Sequence, residues 1–309
     1  MNPRVVVSLL TQDNDYQVEQ AASAEEAARR LGASVEIVYA DSDSILQSQQ
    51  ILKYVQSDEQ SRPDAIILEP VGGTGLPQVA RAAVEAGIAW VVLNRDFGYI
   101  RPLRESCSAP VFSICTDNQE VGRIQGRQFA TLLPQGGSAL YIQGPSDTET
   151  AKLRTAGMLE TKPANIELKT LKAQWTEASA LKAITSWLQL STSQRAHIDV
   201  VAAQNDAMAM GARKAFEEFG AGSLAEHWSK VVFLGVDGVP KTGQAWVKQG
   251  ALAATIITPP LAGSGLEMLL TSLRVGIVPP ETTLMEPHSY PLIEALKKKS
   301  SQRSEVART

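Results

Sequence analysis

The stretch "DVVAAQNDAMAMGARKAFEEF", residues 199–219, combines the patterns of a strand and a helix with polar residues where they meet. Residues 200–203 are small and β-branched apolar residues, which is typical of a strand buried in a parallel sheet. Apolar side chains then recur at three- and four-residue spacing and predict a helix that extends to about residue 219. Gln204, Asn205 and Asp206 stand at the junction, where such side chains start a helix, perform chemistry or bind a ligand.

The same strand–helix unit recurs along most of the chain. Strands are predicted at 4–10, 34–40, 65–70, 89–95, from 111, 138–144, 166–173, 199–205, 231–238 and 251–258. Helices are predicted at 16–31, 44–57, 75–86, 148–161, 177–190, up to about 219, shortly after 238 and at 261–275. Residues 96–110 show little periodicity, and the end of the chain is Pro-rich. Such alternation joins parallel strands by helical crossovers. We therefore predict an α/β fold of two similar doubly wound parallel-sheet (Rossmann-like) domains.

The composition excludes some classes of protein. The chain has 309 residues, of which 44% are hydrophobic and 20% charged, as in a soluble globular protein large enough for two domains. A formal net charge of -4 gives no reason to expect nucleic acid as a partner. The basic tail is predicted to be solvated; it contains Lys297, Lys298, Lys299, Arg303 and Arg308. No apolar run reaches the roughly 18 residues that a membrane span requires.

Few features of the sequence indicate a signal peptide, a disulfide or a metal site. The opening "MNPRVVVSLLTQDNDYQ" has an apolar stretch too short for a signal peptide and no small-residue cleavage site. The expectation is either a cytoplasmic protein or one whose leader has been removed. Cys107 and Cys115 either form a disulfide or remain as thiols. The three histidines are scattered, so neither a metal nor a cofactor is predicted.

Polar and aromatic residues follow the ends of the predicted strands, where open parallel sheets bind their ligands. They are Asn14, Tyr16, Glu69, Asn94, Arg95, Trp175, Asn205, Asp206, Asp237 and Thr258. The chain has no dinucleotide fingerprint, no Gly-rich loop ending in Gly-Lys-Ser/Thr and no Gly-x-Ser-x-Gly elbow. No histidine stands at a strand end to act as a base. These residues are therefore predicted to bind a ligand, and we do not expect an enzyme.

Several of these residues also have structural explanations. Asp206 is favoured as the N-cap of the helix that follows it, whereas Asn205 is favoured as a ligand contact. Asp237 precedes Gly238 and is either a turn residue or a ligand contact. Tyr16 and Trp175 either pack against the protein or contact a ligand. Gln204 receives no predicted role.

Four segments carry a resemblance to a known family. In order they are "VVLNRD", "AAQNDAMAMGARKAF", "VVFLGVDGVP" and "GALAATIITPP". Together they resemble the type I periplasmic sugar-binding proteins, the ribose- and galactose-binding group, which shares its fold with the effector domains of lactose-repressor-like regulators. The resemblance extends from Val5 to about Pro287.

The resemblance implies two lobes that are joined by a three-strand hinge and close on a ligand in the cleft between them. The crossings would fall near 115–117, 258–260 and 286–287. The lobes would then comprise residues 1–115 with 259–286, and residues 116–258 with 287–309. The resemblance also implies a ligand-binding set of Asn14, Tyr16, Glu69, Asn94, Arg95, Lys152, Trp175, Asn205, Asp237 and Thr258.

Some positions depart from the family pattern. Asn94 stands where the family has a carboxylate. Lys152 stands where the family has a ligand-binding arginine, so a compact ammonium group replaces a planar guanidinium group with several donors. Arg154 matches a second, more structural arginine, and Glu69 stands where a neutral polar residue is usual.

Arg95 would be paired with a carboxylate such as Glu69 or Asp237. Amides, carboxylates and guanidinium groups satisfy sugar hydroxyls, and flat rings cover the sugar's C–H faces.

The function implied is the capture of a sugar or polyol and its delivery to an ABC transporter permease, in the periplasm and by a monomer. The alternative is a ligand-sensing regulator of the same fold. The first strand begins near Arg4, which leaves no space for an N-terminal DNA-binding domain in this sequence. An acidic or phosphorylated sugar is a further alternative, because Arg95 and Lys152 are both cationic.

Overall fold

The computed structural model describes residues 2–73, 75–194, 196–219, 228 and 230–298. The chain divides into two compact units. The first comprises Met1–Thr116 with Pro259–Met285, and the second comprises Asp117–Thr258 with the chain from Glu286 onward. The chain therefore passes from one unit to the other after Thr116, after Thr258 and after Met285.

The first unit is a parallel sheet with helices on both faces. Its strands and helices are β1 (Arg4–Leu9), α1 (Asp15–Leu31), β2 (Ser34–Tyr39), α2 (Ser44–Val55), β3 (Ala65–Leu68), α3 (Pro77–Glu85), β4 (Ala89–Leu93), α4 (Ile100–Ser106), β5 (Val111–Thr116), α11 (Leu261–Val275) and β11 (Thr282–Met285). The sheet order is β11-β5-β4-β3-β1-β2 and every pairing is parallel. The order reverses direction at β1, so ligand-binding residues are expected where β1 and β3 end.

Alternate residues of the strands bury both faces of this sheet, as a doubly wound fold requires. Val5 and Val7 pack into a core formed with α1 and α11. Val6 and Trp90 pack into a second core formed with α2, α3 and α4. The central strands are therefore mostly apolar, with Ser8 of β1 and Ser113 of β5 as buried hydrogen-bonding exceptions.

The second unit repeats this organisation. Its strands and helices are α5 (Asn118–Leu132), β6 (Gly137–Gln143), α6 (Glu149–Thr161), β7 (Ile166–Lys172), α7 (Glu177–Leu188), α8 (Ser191–Gln194), β8 (Val200–Ala203), α9 (Asp206–Phe219), β9 (Val232–Leu234), α10 (Gly243–Lys248), β10 (Thr255–Ile257) and β12 (His288–Tyr290). The parallel sheet has the order β7-β6-β8-β9, and β10 pairs antiparallel with β12. Single bridges, such as Asp237 to Ile257, connect the end of β9 to β10.

Several elements were not predicted, for physical reasons. The segment 96–110 contains α4, which has seven residues, too few to show a helical period. The helix α5 has no continuous apolar stripe, because its buried face includes Gln125 and Gln128 beside glycines. The Pro-rich end contains the short strands β11 and β12. The α/β fold of two parallel-sheet domains is confirmed. Lys299, Arg303 and Arg308 of the basic tail lie outside the described residues.

Candidate functional site

The loop after β1 begins the polar edge of the first unit. The Asn14 side chain caps α1 by accepting hydrogen bonds from the backbone N–H groups of Tyr16, at 2.9 Å, and Gln17, at 3.3 Å. The Tyr16 hydroxyl donates to the Pro259 carbonyl at 3.2 Å. Asn14 and Tyr16 are both half-buried. The predicted pair therefore lies at the carboxyl edge of the sheet, with Asn14 also serving as a helix cap.

Glu69 and Asn94 are in direct contact at the ends of β3 and β4. The Glu69 carboxylate is 8% exposed and accepts from Gln17 Nε2 at 2.8 Å and from Asn94 Nδ2 at 3.0 Å. Burial raises the pKa of Glu69, while the two amides and the charge of Arg95 oppose that rise. A buried carboxylate thus lies beside the Asn94 amide and is bonded to it.

Two glutamines that the sequence analysis missed organise this edge. Gln17 accepts from the Leu10 N–H at 3.0 Å and joins the loop after β1 to Glu69. Gln47 donates to the Glu69 carbonyl at 2.8 Å and accepts from the Val71 N–H, also at 2.8 Å. Both are fully or almost fully buried in helices. A buried glutamine on an otherwise apolar helix face is the sequence signal that would have identified them.

Arg95 forms a different contact from the one predicted. Its guanidinium donates to the Gly72 carbonyl, in the loop after β3. Among the described residues of the first unit, Arg95 makes no ion pair within 4 Å, so it does not contact Glu69 directly, although its charge lowers the pKa of that carboxyl. The neutral amides of Gln17 and Asn94 hold that carboxylate instead.

In the second unit, Asn205 and Asp206 have roles other than those predicted. Asn205 Oδ1 accepts from the Met208 N–H at 2.8 Å, which makes Asn205 the helix cap of α9. Asn205 Nδ2 donates to the Trp175 carbonyl at 2.9 Å. The prediction that Asp206 caps the helix is therefore wrong. An amide has two N–H groups and two acceptor lone pairs, so Asn205 retains hydrogen-bonding capacity for a ligand.

Asp206 is buried within the second unit. Its carboxylate accepts from the Gly238 N–H at 2.8 Å and from the Thr255 hydroxyl at 2.7 Å. Burial raises the pKa of Asp206 well above its ordinary value, and the charge of Asp237 adds to the rise. The carboxylate thus joins the start of α9 to the turn after β9 and to β10.

Gln204 is also a structural centre, although no role was predicted for it. It is fully buried and accepts from the Gly144 N–H at 2.9 Å. Its Nε2 lies 3.0 Å from the Tyr141 hydroxyl, the Ala151 carbonyl and the Thr155 hydroxyl. Gln204 therefore fixes the loop after β6 against α6, and a direct role in ligand binding is not needed to explain it.

Arg154 is the buried cation of this edge. Its Nε donates to Asn118 Oδ1 at 2.9 Å and its Nη1 donates to the Gln204 carbonyl. The same guanidinium lies 3.8 Å from the Asp237 carboxylate, and its Cζ lies 5.9 Å from the centre of the Trp175 ring. A desolvated arginine in such a position compensates carboxylate charge and holds the aromatic ring.

Three predicted site residues have a positive φ, which residues other than glycine rarely adopt. The φ angles are 61° for Asn94, 62° for Trp175 and 105° for Asp237. For a bulky side chain such as tryptophan this conformation is a genuine outlier. Such conformations cost on the order of 1–3 kcal/mol each and cluster at functional sites. Their presence at the ends of strands supports these positions as site residues.

Lys152 and Thr258 complete the predicted set. Lys152 is exposed in the first turn of α6, and its N–H donates to the Thr148 carbonyl at 3.3 Å. Thr258 is buried directly after β10, and its N–H donates to the Asp237 carbonyl at 3.1 Å. Within the second unit the structure therefore joins Asn205 to Trp175 and Thr258 to Asp237, and leaves Lys152 at the surface.

Neither a metal site nor a membrane helix is found in the described part of the chain. No group of three or more His, Cys, Asp or Glu residues there has an arrangement that holds a metal ion. No helix among the same residues is long and apolar enough to cross a membrane. Both cysteines are free thiols. Burial raises the pKa of Cys115 to about 12 and also raises that of the half-buried Cys107.

A surface groove of about 700 Å³ lies elsewhere on the first unit, between α3 and α4. Its lining includes Gln78, Arg81, Tyr99, Leu103 and Cys107. None of the predicted site residues lines this groove, and it lacks the convergent buried polar groups found at the strand ends. The candidate site residues of each unit lie instead at the carboxyl edge of that unit's own sheet.

A fold of two doubly wound units with polar and aromatic residues at the strand ends defines a ligand-binding protein. Residues 5–272 match the model of the periplasmic binding protein domain. The chain therefore belongs to the periplasmic binding protein family, and its resemblance to the type I sugar-binding members is confirmed.

Relatives and solved structures are consistent with this family. The D-allose-binding periplasmic protein of Escherichia coli is 26% identical over 281 residues, which cover 89% of this chain and 86% of that protein. The ribose import binding protein of the same organism is 28% identical over 267 residues, which cover 85% and 81%.

Two solved structures share the fold. A periplasmic solute-binding protein of an ABC transporter from Actinobacillus succinogenes, with bound D-allose, superposes with a TM-score of 0.79 at 22% identity and covers 97% of this chain and 100% of that one. A myo-inositol binding protein from Caulobacter gives 0.75 at 23% identity and covers 93% and 92%.

Proposed function

We propose that the chain is the substrate-binding protein of an ABC transporter and that it captures a sugar or polyol. The observation that carries the proposal is the chemistry at the carboxyl edge of each sheet. Each edge combines amides and charged groups, fixed by contacts within their own unit, with a half-buried aromatic ring, Tyr16 in one unit and Trp175 in the other. Hydroxyl groups that donate and accept, on a ring with apolar C–H faces, fit this combination.

The proposal keeps the ligand-binding set predicted from the sequence and assigns roles within it. Asn94, Arg95, Asn205 and Asp237 would bond hydroxyl groups, and the aromatic rings would cover the sugar faces. Glu69 and Thr258 would act mainly by holding their neighbours, since both are buried and bonded to their own unit. The two predicted lobes, their closure on the ligand about the three crossings, and the periplasmic location belong to the same proposal.

A neutral ligand is favoured over an acidic or phosphorylated one. The carboxyl groups near the strand ends include the buried Glu69 and Asp206 and the half-buried Asp237, whereas Arg154 is already engaged by the protein. An anionic ligand would add to this negative charge, and Lys152 is exposed, where its charge is screened. The relatives with known ligands include binders of allose and ribose.

Ligand screening by thermal shift tests the proposal. D-allose, D-ribose, D-xylose, myo-inositol, glycerol and their phosphorylated or acidic analogues would each be added to the purified protein. A ligand at about 100 times its Kd stabilises the folded state by about 2.7 kcal/mol and raises the melting temperature measurably. We expect one neutral sugar or polyol class to do so. The absence of any shift, or a shift with the acidic compounds alone, would contradict this.

Isothermal titration of variants then locates the binding. Arg95→Met in the first unit and Asp237→Asn in the second should each weaken binding by on the order of tenfold or more, because each removes a hydrogen-bonding charge. Arg101→Met and Arg213→Met are matched controls, since these arginines form exposed ion pairs away from the strand ends. Equal affinity in all four variants would place the ligand elsewhere.

Uptake by cells separates transport from sensing. A strain that lacks this chain should lose high-affinity uptake of the sugar identified by titration. Unchanged uptake together with a lost transcriptional or chemotactic response would instead support the ligand-sensing alternative.

A further inference from the structure

Asp206 is the buried carboxylate that the proposed binding role leaves unexplained. It is 4% exposed at the first residue of α9. Its Oδ2 accepts from the Gly238 N–H at 2.8 Å, and its Oδ1 accepts from the Thr255 hydroxyl at 2.7 Å. Its own N–H donates to the Val236 carbonyl at 2.6 Å. Asp206 therefore bonds both residues that flank Asp237.

Glycines in the segment "GVDGVPKTG", residues 235–243, make the space for this carboxylate. A Cβ atom at Gly235 would lie 2.0 Å from Asp206 Oδ1, and one at Gly243 would lie 2.0 Å from Oδ2. Real side chains do not approach a Cβ atom so closely, so these two positions require glycine whenever the carboxylate is present. Asp206 thus explains Gly235 and Gly243, whereas Gly238 has a φ of 61° and lies against Ile257.

The segment that Asp206 holds is strained. Asp237 has a φ of 105°, a conformation that side-chain-bearing residues keep only when their surroundings fix it. The Asp237 N–H donates to the Ile256 carbonyl at 2.9 Å, and the Asp237 carbonyl accepts from the Thr258 N–H at 3.1 Å. Strand β10 therefore holds Asp237 from one side while Asp206 holds Val236 and Gly238 on either side of it.

We propose that Asp206 is a positioning residue for ligand binding: it clamps the turn 236–238 to α9 and β10 and so fixes the Asp237 carboxylate in its binding orientation. This inference rests on the proposed function, in which Asp237 contacts the ligand. A clamp needs an acceptor for the Gly238 N–H and a partner for the Thr255 hydroxyl, whereas it does not need a negative charge.

This requirement gives a conservative rescue. In Asp206→Asn, the amide oxygen accepts from Gly238, and the amide N–H₂ donates to Thr255, whose hydroxyl can also accept. In Asp206→Ala both bonds are lost. A residue that merely contributed negative charge to the site would lose its effect equally in both variants.

The clamp is tested with the full chain by two measurements. Hydrogen exchange of the unliganded protein reports the Gly238 amide directly, and isothermal titration reports affinity for whichever of D-allose, D-ribose and myo-inositol the unmodified protein binds. Asp206→Ala should speed exchange at Gly238 and weaken binding, each by on the order of tenfold, because a buried hydrogen bond is lost. Asp206→Asn should recover most of both losses. Asp199→Ala is the matched control, since Asp199 accepts from the Ser138 N–H at 2.8 Å, near the start of β8.

Two outcomes would overturn the proposal: unchanged exchange and affinity in Asp206→Ala, or equal losses in the Asn and Ala variants. If Asp206→Ala does not fold, Thr255→Val and Thr255→Ser replace it, because only serine keeps the hydroxyl that bonds Asp206. Equal exchange and affinity in these two variants would also overturn the clamp. If the unmodified protein binds none of the sugars and polyols of the thermal-shift screen, the proposed function fails, while the exchange measurement still tests the clamp.

Discussion

Replacing Gly144 with alanine should displace the ring of Trp175 and thereby weaken ligand binding. Gly144 directly follows β6, and its φ lies outside the left-handed region, so the backbone accepts alanine. A Cβ atom there would lie 2.2 Å from Cζ2 and 2.3 Å from Cη2 of the Trp175 ring. Because ordinary contact begins at about 3.4 Å, the ring must move by at least about 1.2 Å.

The size of the effect follows from this overlap. Overpacking of this kind costs about 1–3 kcal/mol, and the moved ring also loses part of its contact with the Arg154 guanidinium, now 5.9 Å from the ring centre. If the ring covers a sugar face, a loss of about 1.4 kcal/mol in binding lowers the affinity tenfold. We therefore expect Gly144→Ala to bind the identified sugar on the order of tenfold more weakly and to show altered tryptophan fluorescence.

Titration calorimetry and fluorescence spectroscopy check this prediction, and Gly98→Ala is the matched control. A Cβ atom at Gly98 meets nothing within 4 Å, and its φ also lies outside the left-handed region, so that variant should behave like the unmodified protein. Altered fluorescence with unchanged affinity would refute Trp175 as a ligand contact. Unchanged fluorescence and affinity would refute the close packing of the ring on Gly144.

Three further predictions concern charges and thiols. Burial raises the pKa of Glu69 in the folded protein above its ordinary 4.5. The contribution of Glu69 to the free energy of unfolding is therefore fully present below pH 4.5 and is lost as the pH rises through the pKa of the folded state. Urea unfolding should therefore show the unmodified protein losing stability relative to Glu69→Gln between pH 4 and pH 7; a difference that does not change with pH would contradict this. With a thiol-specific reagent at pH 8, Cys107 should react in the folded protein and Cys115, whose pKa is about 12, only after unfolding; rapid reaction of both would be the contrary result. Arg154→Met should lower the free energy of unfolding by about 3–5 kcal/mol, because it leaves buried carboxylates uncompensated. Calorimetry checks this against Arg213→Met, an exposed ion pair expected to matter by less than about 1 kcal/mol; equal losses would refute the role of Arg154.

The fold was predictable from the sequence because its signals are local. The apolar runs of β1, β3, β4 and β8 and the amphipathic periods of α1 and α9 each lie within a short window. The helix α5 was missed because Gln125 and Gln128 turn inward, and each donates to a partner that lies far away in the sequence. A window-based pattern registers such residues as polar and therefore as exposed.

The roles within the site were less predictable, because they depend on contacts that are distant in the sequence. Asn205 and Asp206 are adjacent and both are good helix caps, so local chemistry does not decide between them. The structure decides, because Gly238 and Thr255 hold Asp206 and leave Asn205 to cap α9.

The first unit gives a second example. The sequence showed that position 94 has an amide and position 69 a carboxylate, and only the parallel pairing of β3 with β4 brings the two side chains into contact. Gln17 and Gln47, which complete that network, are marked in the sequence only by standing four residues before buried apolar positions of α1 and α2.

We propose that residues at the carboxyl edges of the sheets bind a sugar or polyol. A crystal structure of the protein with the sugar that stabilises it most in the thermal-shift screen tests this claim most directly. We expect the ligand to contact Trp175 and Asp237 of the second unit and Arg95 of the first. A ligand seated in the groove between α3 and α4, or one that contacts none of these three residues, would contradict it.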